Sequence, residues 1–296
     1  MNNVLTLIAG EGRLDESTVS HIELTLRGAG ADVGPPDWLS YGHAADLAFD
    51  ALPEADAVDL AIEVIENEPI DAVAQPAEGR RKRLLIADME STIIENEMLD
   101  ELADEVGLRD RIAAITARAM NGELDFEGAL RERVGLLAGL EEAALERTRA
   151  KIRITPGARA LVATMQRSGA YCALVSGGFS YYTDFIRDAL GFDMDQANQL
   201  EIKGGKLTGK VIEPILGRSA KLDRLRALAE TRHVPPEATM AVGDGANDLD
   251  MLGAAGLGVA YHAKPLVARS ARARIDHADL TALLYLQGYR EDEITR

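Results

Sequence analysis

Two carboxylates stand at the end of an apolar run near position 88, where a strand would turn toward a binding crevice. Asp88 and Glu90 directly follow LLIA (84–87). Alternation along an extended chain puts both side chains on one side, where they could act as nucleophile and proton donor or share a cation. An aspartate at such a turn also serves often as a helix cap, so this pair alone leaves its role open.

A second acidic segment lies after TMAV (239–242) and before a predicted helix. Its glycines permit a tight turn, and its two carboxylates offer the oxygen ligands that a hard cation such as Mg²⁺ prefers. We therefore interpret the segment as a metal site. Its chemistry-bearing residues are Gly243, Asp244, Gly245, Asn247 and Asp248.

Ser176 and Lys221 supply groups that could bind an anion. Ser176 precedes Gly177 and Gly178 after the apolar run YCALV (171–175). A hydroxyl beside bare backbone amides at a helix N-terminus binds oxyanions, although the same residues fit an ordinary serine cap. Lys221 lies near the start of a predicted amphipathic helix, a place where most lysines are simply solvated.

Four short apolar runs must position these residues. They are nearly continuous, as expected for strands buried on both faces of a parallel sheet. Ligands of open α/β sheets bind beyond the carboxyl ends of the strands, so we expect the polar segments to meet at one edge. The pattern predicts an α/β fold with a helical insertion at about residues 94–150. The runs are 84–88, 171–176, 239–244 and 257–261.

A different pattern occupies residues 1–75. Strand and helix patterns alternate there as β-α-β-α-β, which predicts a small α+β domain of the ferredoxin-like kind. Residues 76–83 contain Pro76, Gly79 and a basic run, and we interpret them as a solvated linker. The remaining residues, 84–296, form the second predicted domain.

The composition excludes several classes of protein. The chain has 296 residues with 32 lysines and arginines against 49 aspartates and glutamates, a net charge of −17. This charge argues against nucleic-acid and membrane partners. The single cysteine, Cys172, allows no internal disulfide and no thiolate zinc cluster. Because the N-terminal residues lack the pattern of a secretory signal, we expect a cytoplasmic protein.

In chain order, the four motifs resemble those of the haloacid-dehalogenase-like phosphohydrolases, and within that family the members that act on phosphoserine. The resemblance covers residues 84 to about 285. It implies a Rossmann-like core with a helical cap. It also implies Mg²⁺-dependent hydrolysis of O-phospho-L-serine to L-serine and phosphate through an aspartyl-phosphate, the last step of serine biosynthesis. Residues 1–75 resemble ACT regulatory domains only loosely, in size and alternation.

The resemblance further implies a role for each motif residue. Asp88 would be the nucleophile, and Glu90 would protonate the leaving serine oxygen and then activate water. Mg²⁺ would be held by Asp88, the backbone carbonyl of Glu90, Asp244 and Asp248. The phosphoryl oxygens would be bound by Ser176, the amide of Gly177, Lys221 and Asn247.

Four residues of the predicted cap match positions that select the substrate in this family. Glu97 would bind the substrate ammonium and Arg133 its carboxylate, a complementary clamp for an amino acid. Met120 and Phe126 would form the apolar wall of the pocket. Without the resemblance, Glu97 and Arg133 would be interpreted as ordinary residues of helix surfaces.

Glu90 departs from the family pattern, which has aspartate at this position. The additional methylene moves the carboxylate by about 1 Å, and a displacement of that size costs ~10²-fold in rate. Binding of Mg²⁺ and substrate should persist. Three activities therefore stay open: hydrolysis at a natural or reduced rate, phosphoryl transfer to an alcohol such as homoserine, and a catalytically silent sensor of phospho-amino acids. The sequence also leaves open whether residues 1–75 bind serine, pair two subunits into a homodimer, or do neither.

Overall fold

The computed structural model describes residues 1–10, 13–120, 123–217 and 219–296, with the side chains of Ala117, Ala119 and Met120 outside that description. Two β-sheets organise the described chain, one within residues 3–76 and one within residues 84–275. None of the described helices combines the length and the hydropathy needed to cross a lipid bilayer.

The N-terminal part consists of β1 Asn3–Ala9, α1 Glu16–Gly28, β2 Asp32–Val33, β3 Asp37–Ser40, β4 Ala44–Asp50, α2 Glu54–Ile65 and β5 Ile70–Pro76. The larger part begins with β6 Leu84–Ala87, α3 Met98–Asp104, α4 Arg109–Met120, α5 Phe126–Gly135, α6 Ala143–Arg149, α7 Ala158–Arg167, β7 Tyr171–Phe179 and α8 Ser180–Leu190. It continues with β8 Met194–Lys203, β9 Lys206–Ile212, α9 Ala220–Thr231, β10 Thr239–Gly243, α10 Leu249–Ala254, β11 Leu257–Tyr261, α11 Pro265–Ser270, β12 Ala273–Ile275 and α12 Ala282–Leu286.

The N-terminal sheet is antiparallel, with strand order β2-β4-β1-β5 and with β3 paired to β4. Helices α1 and α2 pack on one face, and buried side chains such as Leu5, Ile22 and Leu47 fill the space between. Alternate residues of β1 point to the opposite face, where Ile8 joins the core of the larger part. The sequence pattern misses β2 and β3 because both strands are short and lie among glycine and proline residues.

The larger sheet has the strand order β12-β11-β10-β6-β7-β8-β9. Its strands are parallel from β12 through β8, and only β9 is antiparallel. Side chains of α9, α10 and α11 cover one face and the main core covers the other. The predicted parallel sheet is therefore confirmed, and it places β6 in the centre between β10 and β7.

Five described helices, α3 to α7, lie between β6 and β7 in the chain, and the first four of them, α3 to α6, make up the helical insertion. In α5, the side chain of Asp125 accepts the N–H of Gly128 at 2.7 Å and so caps the helix that Phe126 begins. Leu130 and Val134 of this helix enter the main core. The insertion is thereby held against the sheet, and a cavity separates it from the carboxyl ends of the strands.

The segment 77–83 joins the two parts and is packed between them. The Arg80 side chain is only 12% exposed, and its Nη1 lies 2.6 Å from Oδ2 of Asp46 in the N-terminal sheet. The same guanidinium donates to the backbone carbonyls of Tyr285 and Leu286, both at 3.0 Å. One buried cation therefore ties the N-terminal sheet to the last helix of the larger part.

Lys82 is buried in the same segment, and its Nζ donates to the carbonyl of Glu237 at 2.8 Å. The expectation of a solvated basic run is therefore wrong for Lys82 and Arg80. The physical reason is that backbone carbonyls left at helix and loop ends accept these donors, so burial does not leave the charges without partners.

Candidate functional site

The pairing of β6 with β10 brings the two acidic segments together. The strands run parallel with Ala87 opposite Val242, and the N–H of Asp88 donates to the carbonyl of Val242 at 3.0 Å. Asp88 and Asp244 therefore leave neighbouring strands at the same edge of the sheet, as the strand pattern predicts.

Three carboxylates form one buried cluster at this edge. One oxygen from each of Asp88, Asp244 and Asp248 lies within 4.8 Å of the others. Gly243 makes room for the cluster, because a Cβ at that position would lie 2.4 Å from Cγ of Asp248. Oδ2 of Asp248 accepts the N–H of Gly245 at 3.0 Å, which orients the carboxylate. Three hard oxygen donors in this arrangement fit a divalent cation such as Mg²⁺.

Lys221 lies between two of these acids. Its Nζ is 2.7 Å from Oδ1 of Asp88 and 2.6 Å from Oδ1 of Asp248, and all three side chains are buried. Burial acts to lower the pKa of this ammonium, but the two carboxylates outweigh burial, so the pKa of Lys221 is raised. The lysine is thus a charged part of the site, and the solvated position that its helix pattern alone favours is wrong.

The balance of charge in the site favours a bound cation. Burial raises the pKa of Asp88 to about 8, although Lys221 opposes the shift. Burial also raises the pKa of Asp244, opposed by Lys264, whose Nζ lies 3.2 Å from Oδ2 of Asp244. When all three carboxylates are ionised, they and the two ammonium groups carry a net charge of one negative. A divalent cation would favour that ionised state and would change the net charge to one positive. The cluster would then suit an anionic substrate.

Ser176 lies within β7, which continues through Phe179 before α8 begins at Ser180. The expectation that Ser176 opens a helix is therefore wrong. The hydroxyl of Ser176 accepts the N–H of Gly178 at 2.9 Å. Regular pairing of β7 with β8 is interrupted after Val175, so the segment is an irregular strand end rather than a helix N-terminus.

The phosphate-binding residues implied by the resemblance surround one small cavity beside the acid cluster. Ser176, Gly177, Lys221 and Asn247 all line it. The ring of Phe126 closes one side, because a Cβ on Gly177 would lie 3.1 Å from it. The structure thus brings together residues as distant in the chain as Phe126 and Asn247.

The carboxylate of Glu90 does not join the three acids of the cluster. Its Oε1 accepts the N–H of Met98 at 2.8 Å, at the start of α3. Its Oε2 lies against Gly178, where a Cβ would come within 2.8 Å of it. Burial, aided by the charge of Glu97, raises the pKa of Glu90 to about 8. The expected metal contact through the backbone oxygen of Glu90 stays a prediction.

A cavity of about 510 Å³ lies between the helical insertion and the acid cluster. This volume is typical of sites for small molecules, which span roughly 300–1,000 Å³. Asp88, Glu90 and Asp244 line it from the sheet, while Glu97 and Arg133 line it from the insertion. The cavity therefore places the predicted clamp opposite the predicted nucleophile.

The two clamp residues keep their charges available to a ligand. Arg133 donates to the carbonyl of Ala129 at 3.3 Å and to the hydroxyl of Thr116 at 3.5 Å, and no carboxylate of the described residues lies within ion-pair distance of it. Burial lowers the pKa of Arg133, but a guanidinium stays protonated at neutral pH. Glu97 accepts the hydroxyl of Ser91 at 2.7 Å and likewise has no cationic partner within the described ranges. A cation and an anion that have no ion-pair partner among the described side chains therefore face one cavity.

Met120 ends α4, and its side chain lies outside the described residues. Two charged residues that the sequence pattern does not single out, Asp100 and Lys264, also line the cavity. Asp100 carries no distinguishing signal within its helix. Lys264 follows the carboxyl end of β11 closely, which is the same signal that marks Asp88 and Asp244.

The chain matches known proteins over most of its length. Residues 85–253 match the model of the haloacid dehalogenase-like hydrolase family. The phosphoserine phosphatase of Streptomyces coelicolor is 44% identical in an alignment of 253 residues that covers 80% of this chain and 62% of that protein. The chain spans between 53% and 64% of the lengths of the first three curated relatives that it matches.

Two solved structures share almost the whole architecture. A haloacid dehalogenase family hydrolase of Salmonella enterica serovar Typhi aligns with a TM-score of 0.83 and 28% identity, over 96% of this chain and 98% of its own. A probable phosphoserine phosphatase of Vibrio cholerae, in unliganded form, aligns with a TM-score of 0.80 and 32% identity, over 99% and 88%. The family match covers more than half of the chain and includes the strand-end motifs. The chain therefore belongs to the haloacid dehalogenase-like hydrolase family.

Proposed function

We propose that this protein is a Mg²⁺-dependent phosphatase that hydrolyses O-phospho-L-serine to L-serine and phosphate. The observation that carries the proposal is the buried cluster of Asp88, Asp244 and Asp248 around Lys221, which opens into a cavity lined by Glu97 and Arg133. The names of the curated relatives support the same activity. The acid cluster at one end of the cavity indicates a phosphoryl group, and the two charged residues at the other end indicate an amino acid.

The clamp residues select an amino acid. Arg133 would bind the substrate carboxylate through its planar guanidinium, and Glu97 would bind the ammonium group. Since neither residue has an ion-pair partner among the described side chains, substrate binding would satisfy both charges at once. Helices α3 to α6 would act as a cap that excludes water while the substrate is held.

Asp88 would attack phosphorus and take the phosphoryl group as an aspartyl-phosphate. Oδ1 of Asp88 already accepts hydrogen bonds from Lys221 and from the N–H of Met89, both at 2.7 Å, so Oδ2 is the oxygen left for attack. The bond from phosphorus to the serine oxygen breaks, and Glu90 would give that oxygen a proton. A water molecule would then attack phosphorus and break its bond to Oδ2 of Asp88, while Glu90 takes a proton from that water.

The phosphoryl oxygens would be bound by Lys221, Ser176, the amide of Gly177 and Asn247. Cationic and N–H donors fixed in advance around these oxygens stabilise the charge that spreads over them in the transition state. Asp88, Asp244 and Asp248 would hold Mg²⁺, with the backbone oxygen of Glu90 as a further ligand. When bound, the ion supplies positive charge that offsets the repulsion between an anionic nucleophile and an anionic substrate.

The direct test is phosphate release from O-phospho-L-serine with Mg²⁺ and with the ion chelated. We expect activity only with Mg²⁺ and expect Asp88→Asn to abolish it. Asp110→Asn is the matched control, because it makes the same chemical change on the exposed surface of α4. Sustained phosphate release by Asp88→Asn would refute the assignment of Asp88 as the nucleophile. A wild-type protein that releases no phosphate from phosphoserine would refute the proposed substrate or favour a catalytically silent sensor.

A second candidate activity is transfer of the phosphoryl group to an alcohol such as homoserine. The observation that favours it is the position of Glu90, whose carboxylate is engaged by Met98 and lies against Gly178. If that engagement slows the activation of water, the aspartyl-phosphate survives long enough to meet another acceptor. Addition of homoserine to the assay, followed by detection of phosphohomoserine, separates transfer from hydrolysis.

A further inference from the structure

The segment after β11 connects the acid cluster with the N-terminal sheet. On the side of the cluster, the N–H of Lys264 donates to the carbonyl of Asp244 at 3.1 Å, and its Nζ lies 3.2 Å from the carboxylate. On the other side, the N–H of His262 donates to the carbonyl of Ile275 at 2.8 Å, and its Nε2 donates to the carbonyl of Ala278 at 3.0 Å. The position of this segment therefore depends on the loop that follows β12.

His262 adopts a left-handed backbone conformation with φ of 42°. Residues other than glycine rarely keep such a conformation unless neighbouring groups hold them in it. The two hydrogen bonds of His262 to the loop supply that support. A shift of the loop would thus be transmitted to Lys264, two residues further on.

Asp71 of the N-terminal sheet holds this loop. Its Oδ1 accepts the N–H of Asp276 at 2.8 Å, and its Oδ2 accepts the N–H groups of His277 at 3.2 Å and Ala278 at 2.9 Å. The Asp71 side chain is buried, with 5% of the residue exposed. A single carboxylate from β5 thus satisfies three consecutive backbone donors of the loop.

Gly10 approaches the same loop from the end of β1. A Cβ at position 10 would lie 2.4 Å from the carbonyl oxygen of His277, so only glycine fits there. A cavity of about 570 Å³ borders the loop and is lined by His277 and Ala278. Asp71 and Gly10 thus both contact the loop from the N-terminal sheet.

We propose that Asp71 is a positioning residue, which acts through the loop 276–278 and the segment 262–264 to place Asp244 for metal binding. The inference rests on the proposed Mg²⁺ chemistry of Asp244. Groups that orient a ligand from behind are a general determinant of metal affinity. The N-terminal sheet thereby contributes to the site without reaching it.

The test is the variant Asp71→Asn, because an amide group brings an N–H donor against backbone N–H groups and removes one acceptor. We expect the dissociation constant for Mg²⁺, measured by calorimetry without substrate, to rise roughly 3- to 10-fold. At saturating Mg²⁺, kcat should stay within about twofold of the wild type, since Asp71 touches no reacting atom. Asp59→Asn on the exposed face of α2 is the matched control and should leave the constant unchanged.

A double-mutant cycle of Asp71→Asn with Lys264→Met then tests the route. Non-additive effects on Mg²⁺ affinity would support transmission through the segment 262–264, and additive effects would overturn it. If Asp71→Asn does not fold, Asp71→Glu, which keeps the carboxylate but displaces it by one methylene, is measured in its place. A folded variant that binds Mg²⁺ like the wild type overturns this inference alone. A wild-type protein that binds no Mg²⁺ overturns the proposed metal chemistry and this inference together.

Discussion

The carboxylate of Glu90 accepts the backbone N–H of Met98 at 2.8 Å and so links the loop after the central strand to the first turn of α3. The side chain that we propose as the proton donor is thereby also a contact between the sheet and the helical insertion. A shorter aspartate could not make this contact without a shift of the backbone. The longer glutamate side chain thus makes a hydrogen bond at this position that an aspartate would not make.

The variant Glu90→Gln separates proton transfer from this contact. Its amide oxygen can still accept the Met98 N–H, but the side chain cannot act as an acid or base. We expect kcat for phosphoserine to fall by ~10²–10⁴-fold with little change in KM. Steady-state kinetics at saturating Mg²⁺ measure both constants. An unchanged kcat would remove Glu90 from the reaction.

The variant Glu90→Asp tests whether glutamate is adapted to this site. Because the shorter side chain loses the hydrogen bond from the N–H of Met98, we expect a lower melting temperature and a kcat reduced by up to ~10²-fold. Thermal unfolding and turnover of the same preparation provide both numbers. A variant faster than the wild type would mean that Glu90 limits the natural rate.

Arg133 should decide whether the substrate must carry a carboxylate. Arg133→Met removes a charged hydrogen bond worth ~1.5–3 kcal/mol, so kcat/KM for phosphoserine should fall roughly 10- to 100-fold. Phosphoethanolamine lacks the carboxylate, and its slower hydrolysis should be nearly unaffected. The ratio of the two kcat/KM values is therefore the informative quantity.

Arg131→Met is the matched control for this experiment. Arg131 lies on the same helix but pairs on the surface with Glu127 and Glu213. The ratio of the two substrates should not change in this control. Equal losses for both substrates in Arg133→Met would contradict the clamp and indicate a general disturbance of α5.

Local patterns predict the acid cluster because its members follow buried strands, whose apolar runs are visible in the sequence. Asp88 and Asp244 lie close together because each follows the end of a strand, and the two strands, β6 and β10, are parallel neighbours. Lys221 and the clamp have no such local signal. Their helix patterns favour exposed positions, and only the resemblance to a family identifies Glu97, Arg133 and Lys221 as site residues.

The buried position of Arg80 could not be predicted, because its partners are distant in the chain. Its guanidinium is satisfied by Asp46 and by the carbonyls of Tyr285 and Leu286, more than two hundred positions away. A basic run beside glycine and proline normally indicates solvent exposure. Strand β8 could not be predicted from the sequence either, because its largely polar residues form no apolar run.

Arg80 should be essential for the attachment of the N-terminal sheet. Arg80→Met leaves Asp46 as a buried, unpaired charge, and breaking such a pair costs ~3–5 kcal/mol. We expect the free energy of unfolding in denaturant to fall by about that amount.

Arg81→Met changes an exposed neighbour and should change the free energy of unfolding little. The double variant Arg80→Met with Asp46→Leu should regain part of the loss, because it removes the unpaired charge; equal stability of Arg80→Met and wild type would contradict the argument.

His43 should make the stability of the protein depend on pH. Burial at the border of the two parts lowers the pKa of His43 below its usual 6.5, although Asp279 opposes the shift. The native state therefore binds a proton on His43 more weakly than the unfolded chain does. The contribution of neutral His43 to stability is thus present above pH ~6.5 and is lost as the pH falls through the lowered pKa.

We expect the free energy of unfolding of the wild type to decrease more between about pH 7.5 and 5.5 than that of His43→Gln. The exposed imidazoles of His262 and His277, beside the same cavity, are present in both proteins, so the difference between the two curves isolates His43. Parallel curves from denaturant unfolding would contradict a lowered pKa at this position.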